Sequence, residues 1–342
     1  MHKLKLIPII VIIILVALGL VFLNNSPVKN IKNLVSDKTK PVITLTGEST
    51  TKINLFSDYS EPGFSAKDDT DGDITSKVIT SNDIKINRIG TYHVNYSVSD
   101  KNGNKATAVR EVVVLAPSTN NSNGIPVLMY HFFYDSSIGE TPEDSNFTDS
   151  VMFDQQMKYL VDNSYYFPTW DELVSYINGN LYLPEKSIII TADDGNPTFF
   201  NKAYPILVKY QIPATSFLIT SWSGNPDSLN VDRSLISFQS HSHAMHDGGC
   251  SEGHGGRFMC IDYKSGIDDL NTSKQILGSS DAFCYPFGDY NDSAKQMLSD
   301  TGFKVAVTTE YGNVRIGDDK LSLPRIRISG GIDLSDFISS IN

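Results

Sequence analysis

Apolar and polar positions along the chain change their rhythm twice. Leu6 to Leu23 (LIPIIVIIILVALGLVFL) carries no charge. A helix of that length rises roughly 27 Å, enough for a hydrocarbon core. The run exceeds the roughly 7–15 apolar residues of a cleaved signal, and no A-x-A-like site follows. It predicts a transmembrane signal-anchor over residues 1–24 and a polar stalk over 25–40. From 41 to 116 the rhythm is two: Tyr92, Val94, Tyr96 and Val98 fall on one face, His93, Asn95 and Ser97 on the other. That is the pattern of a half-buried antiparallel strand. DKNGN (Asp100 to Asn104) reads as a hairpin turn in which Asn102-Gly103 supplies the positive φ. Alternation resumes from Ala106 to Leu115, and PVITLTG opens the segment in the same manner. Short alternating strands predict a small all-β sandwich. PSTNNSNG (117–124) is a polar linker.

From 125 to 342 short apolar runs alternate with helical spacing. Strands are predicted at 125–131, 187–191, 214–220, 236–240, 282–285, 303–308 and 323–328. Phe153, Met157 and Leu160 share a helical face, and Thr169-Trp170-Asp171-Glu172 is a capping box opening a second helix. Further helices fall near 198–210, 263–278, 291–301 and 333–341. Repeated βα units imply a parallel sheet, open or closed into a barrel, with chemistry at the strand C-terminal ends.

Charge adds a division of labour. The net charge is −11, from 28 Lys and Arg against 39 Asp and Glu. An acidic body argues against a nucleic-acid partner. Lys3, Lys5, Lys29, Lys32, Lys38 and Lys40 stand against Asp37 alone, so the stem is basic. Lysines flank the apolar run on both sides, and the positive-inside rule does not orient it. The acidic run Asp68 to Asp73 reads as a solvated turn. Its alternating oxygens would also suit calcium, although no bidentate Glu follows at EF-hand spacing.

Five strand ends carry polar groups. Asp193-Asp194 follows the apolar strand SIII, where adjacent carboxylates are costly unless a cation or donors compensate them. One can bind a metal while the other stays free as a base; a capped Asp-Gly turn is the plainer reading. Ser240-His241-Ser242-His243-Ala244-Met245-His246 ends the strand ISFQ. By spacing alone either His241 with His243 or His241 with His246 completes a site with one Asp. Tyr130-His131, Cys284-Tyr285-Pro286 and Leu323-Pro324-Arg325 end the other three.

Taken in order, IPVLMYH (125–131), LPEKSIIITADDG (183–195), AYPILVKYQIPATSFLIT (203–220), FQSHSHAMH (238–246), FCYPFGDYN (283–291) and LPRI (323–326) resemble the polysaccharide deacetylase family of carbohydrate esterases, the NodB-homology domain. The closest flavour is the branch of biofilm poly-N-acetylglucosamine deacetylases. The run Asp68 to Thr75, Gly90-Thr91-Tyr92 and Val98 to Asn104 resemble bacterial immunoglobulin-like surface modules. The resemblance implies a distorted (β/α)7 barrel that removes acetyl groups from N-acetylglucosamine. It implies a divalent metal, zinc with cobalt or nickel as alternatives, on Asp194, His241 and His246. Most members space the two histidines by four residues and the biofilm branch by five; Met245 occupies the four-residue position here. The resemblance makes Asp193 the base; no histidine follows His254 to match the family's usual Leu-x-His acid, and in the biofilm branch that role falls to the first strand's Tyr-His, here His131. The family's usual Arg before the third motif's Pro is absent, and Arg325 is expected to steady Asp193 instead. The backbone N–H of Tyr285 is expected to bind the oxyanion, and His243 to stand behind the ligands.

The anchor and spacer favour wall peptidoglycan as substrate, and the motifs favour secreted poly-β-1,6-N-acetylglucosamine. The expected location is the cell membrane, single-pass, with the catalytic domain outside. Cys250 and Cys260 flank CSEGHGGRFMC and are expected to pair there, with a second zinc at His254 as the alternative; Cys284 is left as a buried thiol. An inactive carbohydrate-binding surface protein and a non-haem iron oxygenase are the competing readings; βα alternation disfavours the second.

Overall fold

The computed structural model describes residues 37–342 apart from Ser279. The expected anchor at 1–24 lies outside the described residues. Among those described, no helix is long and apolar enough to cross a membrane. The chain divides into two compact units. The first takes the described residues up to Thr51 with Ser60–Ile84 and Thr91–Val113; the second takes Lys52–Tyr59, Lys85–Gly90 and Val114–Asn342.

Seven strands make the N-terminal sandwich: β1 (Val42–Leu45), β2 (Thr50–Asn54), β3 (Phe64–Asp68), β4 (Gly72–Asp73), β5 (Ile79–Asn82), β6 (Gly90–Ser99) and β7 (Lys105–Leu115). They form one sheet in the order β1-β3-β4 and another in the order β2-β7-β6-β5. Val94, Tyr96 and Val98 are buried as the alternation requires, and Ala66, Ile74 and Val98 form the small core. In the β6–β7 turn the positive φ belongs to Gly103 alone (88°), while Asp100 Oδ1 accepts from the amides of Asn102 and Asn104. The carboxylate closes this turn, so Asn102 has no need of the left-handed region. Arg110 on β7 is fully buried, with its guanidinium on the carbonyls of Glu48, Thr46 and Gly63 and on Glu61.

The second unit continues with β8 (Val127–Tyr130), β9 (Phe132–Tyr134), β10 (Phe147–Asp149), β11 (Ile189–Ala192), β12 (Ala214–Leu218), β13 (Ile236–Ser240), β14 (Ala282–Cys284), β15 (Val305–Tyr311) and β16 (Leu323–Arg327). Seven of these close a barrel in the order β11-β12-β13-β14-β15-β16-β8, with parallel pairing around the ring. This is the (β/α)7 barrel expected. Alternate residues serve two cores. Val127, Ile189, Phe217, Cys284, Val305, Val307 and Leu323 belong to one buried cluster. Leu128, Tyr130, Ile190, Ala192 and Leu218 pack instead against helix residues Phe153, Met157, Leu160 and Leu207. Truncating such a side chain to Ala costs about 2–5 kcal/mol.

The helices begin where the sequence supplies caps. Asp149 caps Ser150–Asp162, and Thr169 with Glu172 forms the reciprocal box at Trp170–Ile177. The helix expected at 198–210 is two pieces, a π-turn at Phe199–Ala203 and an α-helix at Tyr204–Tyr210. Pro205 lies in the first turn of the second piece, where its missing N–H costs nothing. The registers align the strand ends: Ala192 faces Tyr130, and Leu218 faces Ser240, which faces Phe283. The residue after each C-terminal end therefore reaches the same rim.

Candidate active site

Asp193 is the first residue past β11 and the next inward position after Thr191. Its carboxylate is 3% exposed and gripped by Arg325 from β16: Nη1 donates to Oδ1 at 2.8 Å and Nη2 to Oδ2 at 2.7 Å. Arg325 is held in turn, since Nε donates to Thr308 O at 2.8 Å and Nη1 to Thr191 Oγ1 at 3.1 Å. Burial pushes the Asp193 carboxyl up, and the guanidinium's charge and hydrogen bonds push harder the other way, so its pKa falls well below the usual carboxylate range. Cys284, a buried free thiol, lies 3.4 Å from Asp193 Oδ2 and 3.2 Å from Arg325 Nη2. The strand end that carries Cys284 lacks the family's usual arginine, and Arg325, the residue expected to steady Asp193, reaches the carboxylate from two strands further round.

His131, one residue past β8, brings Nε2 to 3.9 Å from Asp193 Oδ2. Burial lowers its pKa by more than the two neighbouring carboxylates raise it.

Asp194 points away from Arg325. One oxygen, Oδ1, is 3.3 Å from His241 Nε2 and 3.4 Å from His246 Nε2. The three ligand atoms lie within 4.8 Å of one another. His241 Nδ1 is bonded to the carbonyl of Cys284 at 2.7 Å. A carbonyl only accepts, so Nδ1 carries a proton, and Nε2 is the nitrogen turned toward Asp194. Asp194 Oδ1 is buried and has no hydrogen-bond partner. A carboxylate oxygen without a donor, facing imidazole nitrogens, is a donor set that fits a divalent cation. His243 is not in this set; its Nδ1 meets Thr220 Oγ1 at 3.0 Å.

The rim is held under backbone strain. Asp194, Ser242 and Phe287 adopt φ of 71°, 70° and 62°. Non-glycine residues in that region gather where function over-determines the geometry. Asp269 accounts for part of this. It is buried on the helix Tyr263–Leu277, and its two oxygens accept from the amides of His243 and Ala244 at 2.8 Å each, fixing the turn that returns His246 to the site. Sequence reasoning missed Asp269, because an acid on a helix gives no local sign of what it bonds. It missed Trp222 as well, which is 64% exposed and packs edge-on to His246, while Phe287 stacks on the same ring.

One expectation is corrected. The N–H of Tyr285 donates to Val307 O at 3.1 Å and is not free for an oxyanion. The β14–β15 ladder runs one residue past the strand's end and consumes it. The Tyr285 side chain also leaves the rim, with its hydroxyl donating to Leu321 O at 2.9 Å.

Cys250 and Cys260 form a disulfide, so the alternative of a second zinc with His254 does not hold. Inside that loop His254 Nδ1 meets Asp289 Oδ1 at 2.7 Å, and the His254 amide donates to Asp289 Oδ2 at 2.8 Å. His254 and the five polar groups of the rim line a cavity of about 350 Å³. A second depression of about 410 Å³, walled by Phe200, Trp222 and Leu229, shares Phe132 and Asp194 with the first.

Comparison with known proteins follows the same division of the chain. Residues 43–114 match the bacterial surface protein Ig-like domain, and residues 181–306 match the polysaccharide deacetylase family. A poly-β-1,6-N-acetyl-D-glucosamine N-deacetylase of Staphylococcus aureus (strain MRSA252) is 31% identical over 194 residues, 52% of this chain. The match spans 66% of that relative's length. Among solved structures, the Streptococcus pyogenes deacetylase PplD in complex with acetate aligns with a TM-score of 0.54 and 26% identity, over 64% of this chain and 98% of its own. IcaB from Ammonifex degensii shares the fold, with a TM-score of 0.51 and 24% identity over 61% of this chain and 94% of its own. The chain therefore carries a polysaccharide deacetylase domain, preceded in sequence by a bacterial surface Ig-like domain.

Proposed function

We propose that this protein hydrolyses the N-acetyl groups of a β-1,6-linked N-acetylglucosamine polymer. The observation that carries the reaction is the pairing of Asp194, His241 and His246 around an unpartnered oxygen with a second, separately clamped carboxylate one residue away. Binding alone would need no second carboxylate kept ionised at that place. The expected anchor and spacer favour peptidoglycan, but similarity to the Staphylococcus aureus poly-β-1,6-N-acetyl-D-glucosamine N-deacetylase supports the β-1,6 polymer.

Asp194, His241 and His246 would hold a divalent cation, zinc in our reading, which would supply Lewis acidity for the attack of water on the acetamide. Asp193 takes a proton from that water as its oxygen attacks the carbonyl carbon. Arg325 holds Asp193 in one orientation, so the proton is received at a fixed place. His131 delivers a proton to the nitrogen as the C–N bond breaks, leaving acetate and an amine. Trp222, Phe132 and Phe287 offer flat apolar faces along the cleft on which sugar rings can lie. The Cys250–Cys260 disulfide supports a site outside the cytoplasm, where such bonds persist.

The test is acetate release by the metal-stripped protein, resupplied with zinc, cobalt or nickel, from β-1,6-N-acetylglucosamine oligomers and from peptidoglycan. Metal-dependent release from the oligomers is expected. It should be abolished by Asp193→Asn with metal content unchanged, and Asp194→Asn should lose the metal itself. Release from peptidoglycan alone would overturn the substrate. Stoichiometric metal with no acetate from either polymer would favour a carbohydrate-binding protein.

A further inference from the structure

Inside the N-terminal sandwich three carboxylates converge. Asp37 precedes β1, Asp68 ends β3, and Asp69 begins the turn to β4. One oxygen from each lies within 4.8 Å of the other two. Asp68 is 6% exposed. Its Oδ1 accepts from the amides of Thr70 (3.1 Å) and Asp71 (2.8 Å), which fixes the group, and its Oδ2 is buried without a hydrogen-bond partner. Asp37 repeats the arrangement: Oδ1 accepts from the Thr39 amide at 2.8 Å, and Oδ2 is buried and unpartnered. The Asp37 backbone is tied down as well, because Asn104 Nδ2 donates to its carbonyl at 3.0 Å and to Asp100 Oδ2 at 2.6 Å. Lys101 does not neutralise the group; it pairs with Asp71 at 3.1 Å.

A hydrogen-bonded turn accounts for Asp68 Oδ1 but not for two orphan oxygens set beside a third acid. Buried carboxylate oxygens without donors are compensated by a cation or not at all. We propose that Asp37, Asp68 and Asp69 bind a calcium ion. The donor set is all oxygen, with no histidine or cysteine to favour zinc. An irregular site of three acids completed by water suits calcium, whereas magnesium demands near-ideal octahedral geometry. Sites of this kind in extracellular modules hold calcium with a Kd of about 10⁻⁴–10⁻³ M. The ion would staple the segment entering β1 directly to the β3–β4 turn. The acidic run noted in the sequence thus contributes its first two members, and Asp37, well outside the run, supplies the third.

The experiment is calorimetric titration of the full chain, stripped of metal, with calcium chloride, paired with thermal unfolding in calcium and in chelator. One calcium per chain is expected, with a Kd of about 10⁻⁴–10⁻³ M and a rise in the unfolding midpoint. Asp68→Asn and Asp69→Asn should each weaken binding at least about tenfold, while Asp194→Asn, at the barrel rim, leaves it unchanged. Magnesium should bind at least about tenfold more weakly. Asp69 is exposed, so its variant reports on the site even where Asp68→Asn fails to fold. Absence of binding up to about 10 mM calcium overturns the site. So does binding that survives Asp69→Asn and vanishes in Asp194→Asn.

Discussion

Asp193 and Arg325 lie in a place where neither charge would be tolerated alone. Replacing Arg325 by Met leaves a buried carboxylate with the weak Cys284 thiol as its donor, and breaking such a pair costs about 3–5 kcal/mol. Chemical denaturation should show a loss of that size, with kcat lower by about 10²-fold as Asp193 loses its orientation. Arg325→Lys separates charge from geometry. An ammonium restores the charge but not the fork, so stability should recover in part while kcat stays low. A lysine variant with wild-type kcat would show that the two-point grip is dispensable. Much at this scale was legible beforehand. Two acids after an apolar strand and a histidine cluster after another are visible in the chain itself. The choice of His246 over His243 came from the family resemblance and not from spacing, which left both open, because Asp269, an acid on a helix remote in sequence, sets the turn. The oxyanion donor was misread because a strand's last hydrogen bond depends on how far its neighbour extends.

Elements carry these residues only if their ends are held. Gly195 follows Asp194 with φ 66°, and a Cβ there would meet Leu218 Cδ2 at 2.5 Å and Ser223 Oγ at 2.8 Å. Gly195→Ala should cost about 1–3 kcal/mol and weaken metal binding by moving Asp194, which titration with zinc would detect. Unchanged metal affinity would mean that the turn can absorb a methyl group. The Thr169 capping box is a milder case. Thr169→Ala should cost about 1 kcal/mol in urea denaturation and leave kinetics alone, because the helix lies away from the rim. The loop closed by Cys250–Cys260 touches the cavity through His254. Changing both cysteines to Ser should raise KM with little change in kcat, and a collapse of kcat would place the loop in the chemistry itself. Strands, caps and most helix spans could be read from periodicity. The π-turn before Tyr204 could not, since it depends on how Phe199 and Ala203 pack into the core.

At the scale of the molecule, β8 opens the barrel in sequence and β16 closes it, and the two are neighbours in the ring. That closure fixes an order of arrival. A chain delivered from its N-terminus presents His131, both aspartates and the metal-ligating histidines long before Leu323–Arg327 emerges. Until then Asp193 has no guanidinium, and the ring has two open edges. Pairing strands so far apart in sequence is slow, since the intervening chain must first be brought together. The last residues to appear thus act as a latch on the earliest ones. A partly made molecule would hold most of its site residues and remain idle, and competence would begin only once its final strand had joined the ring.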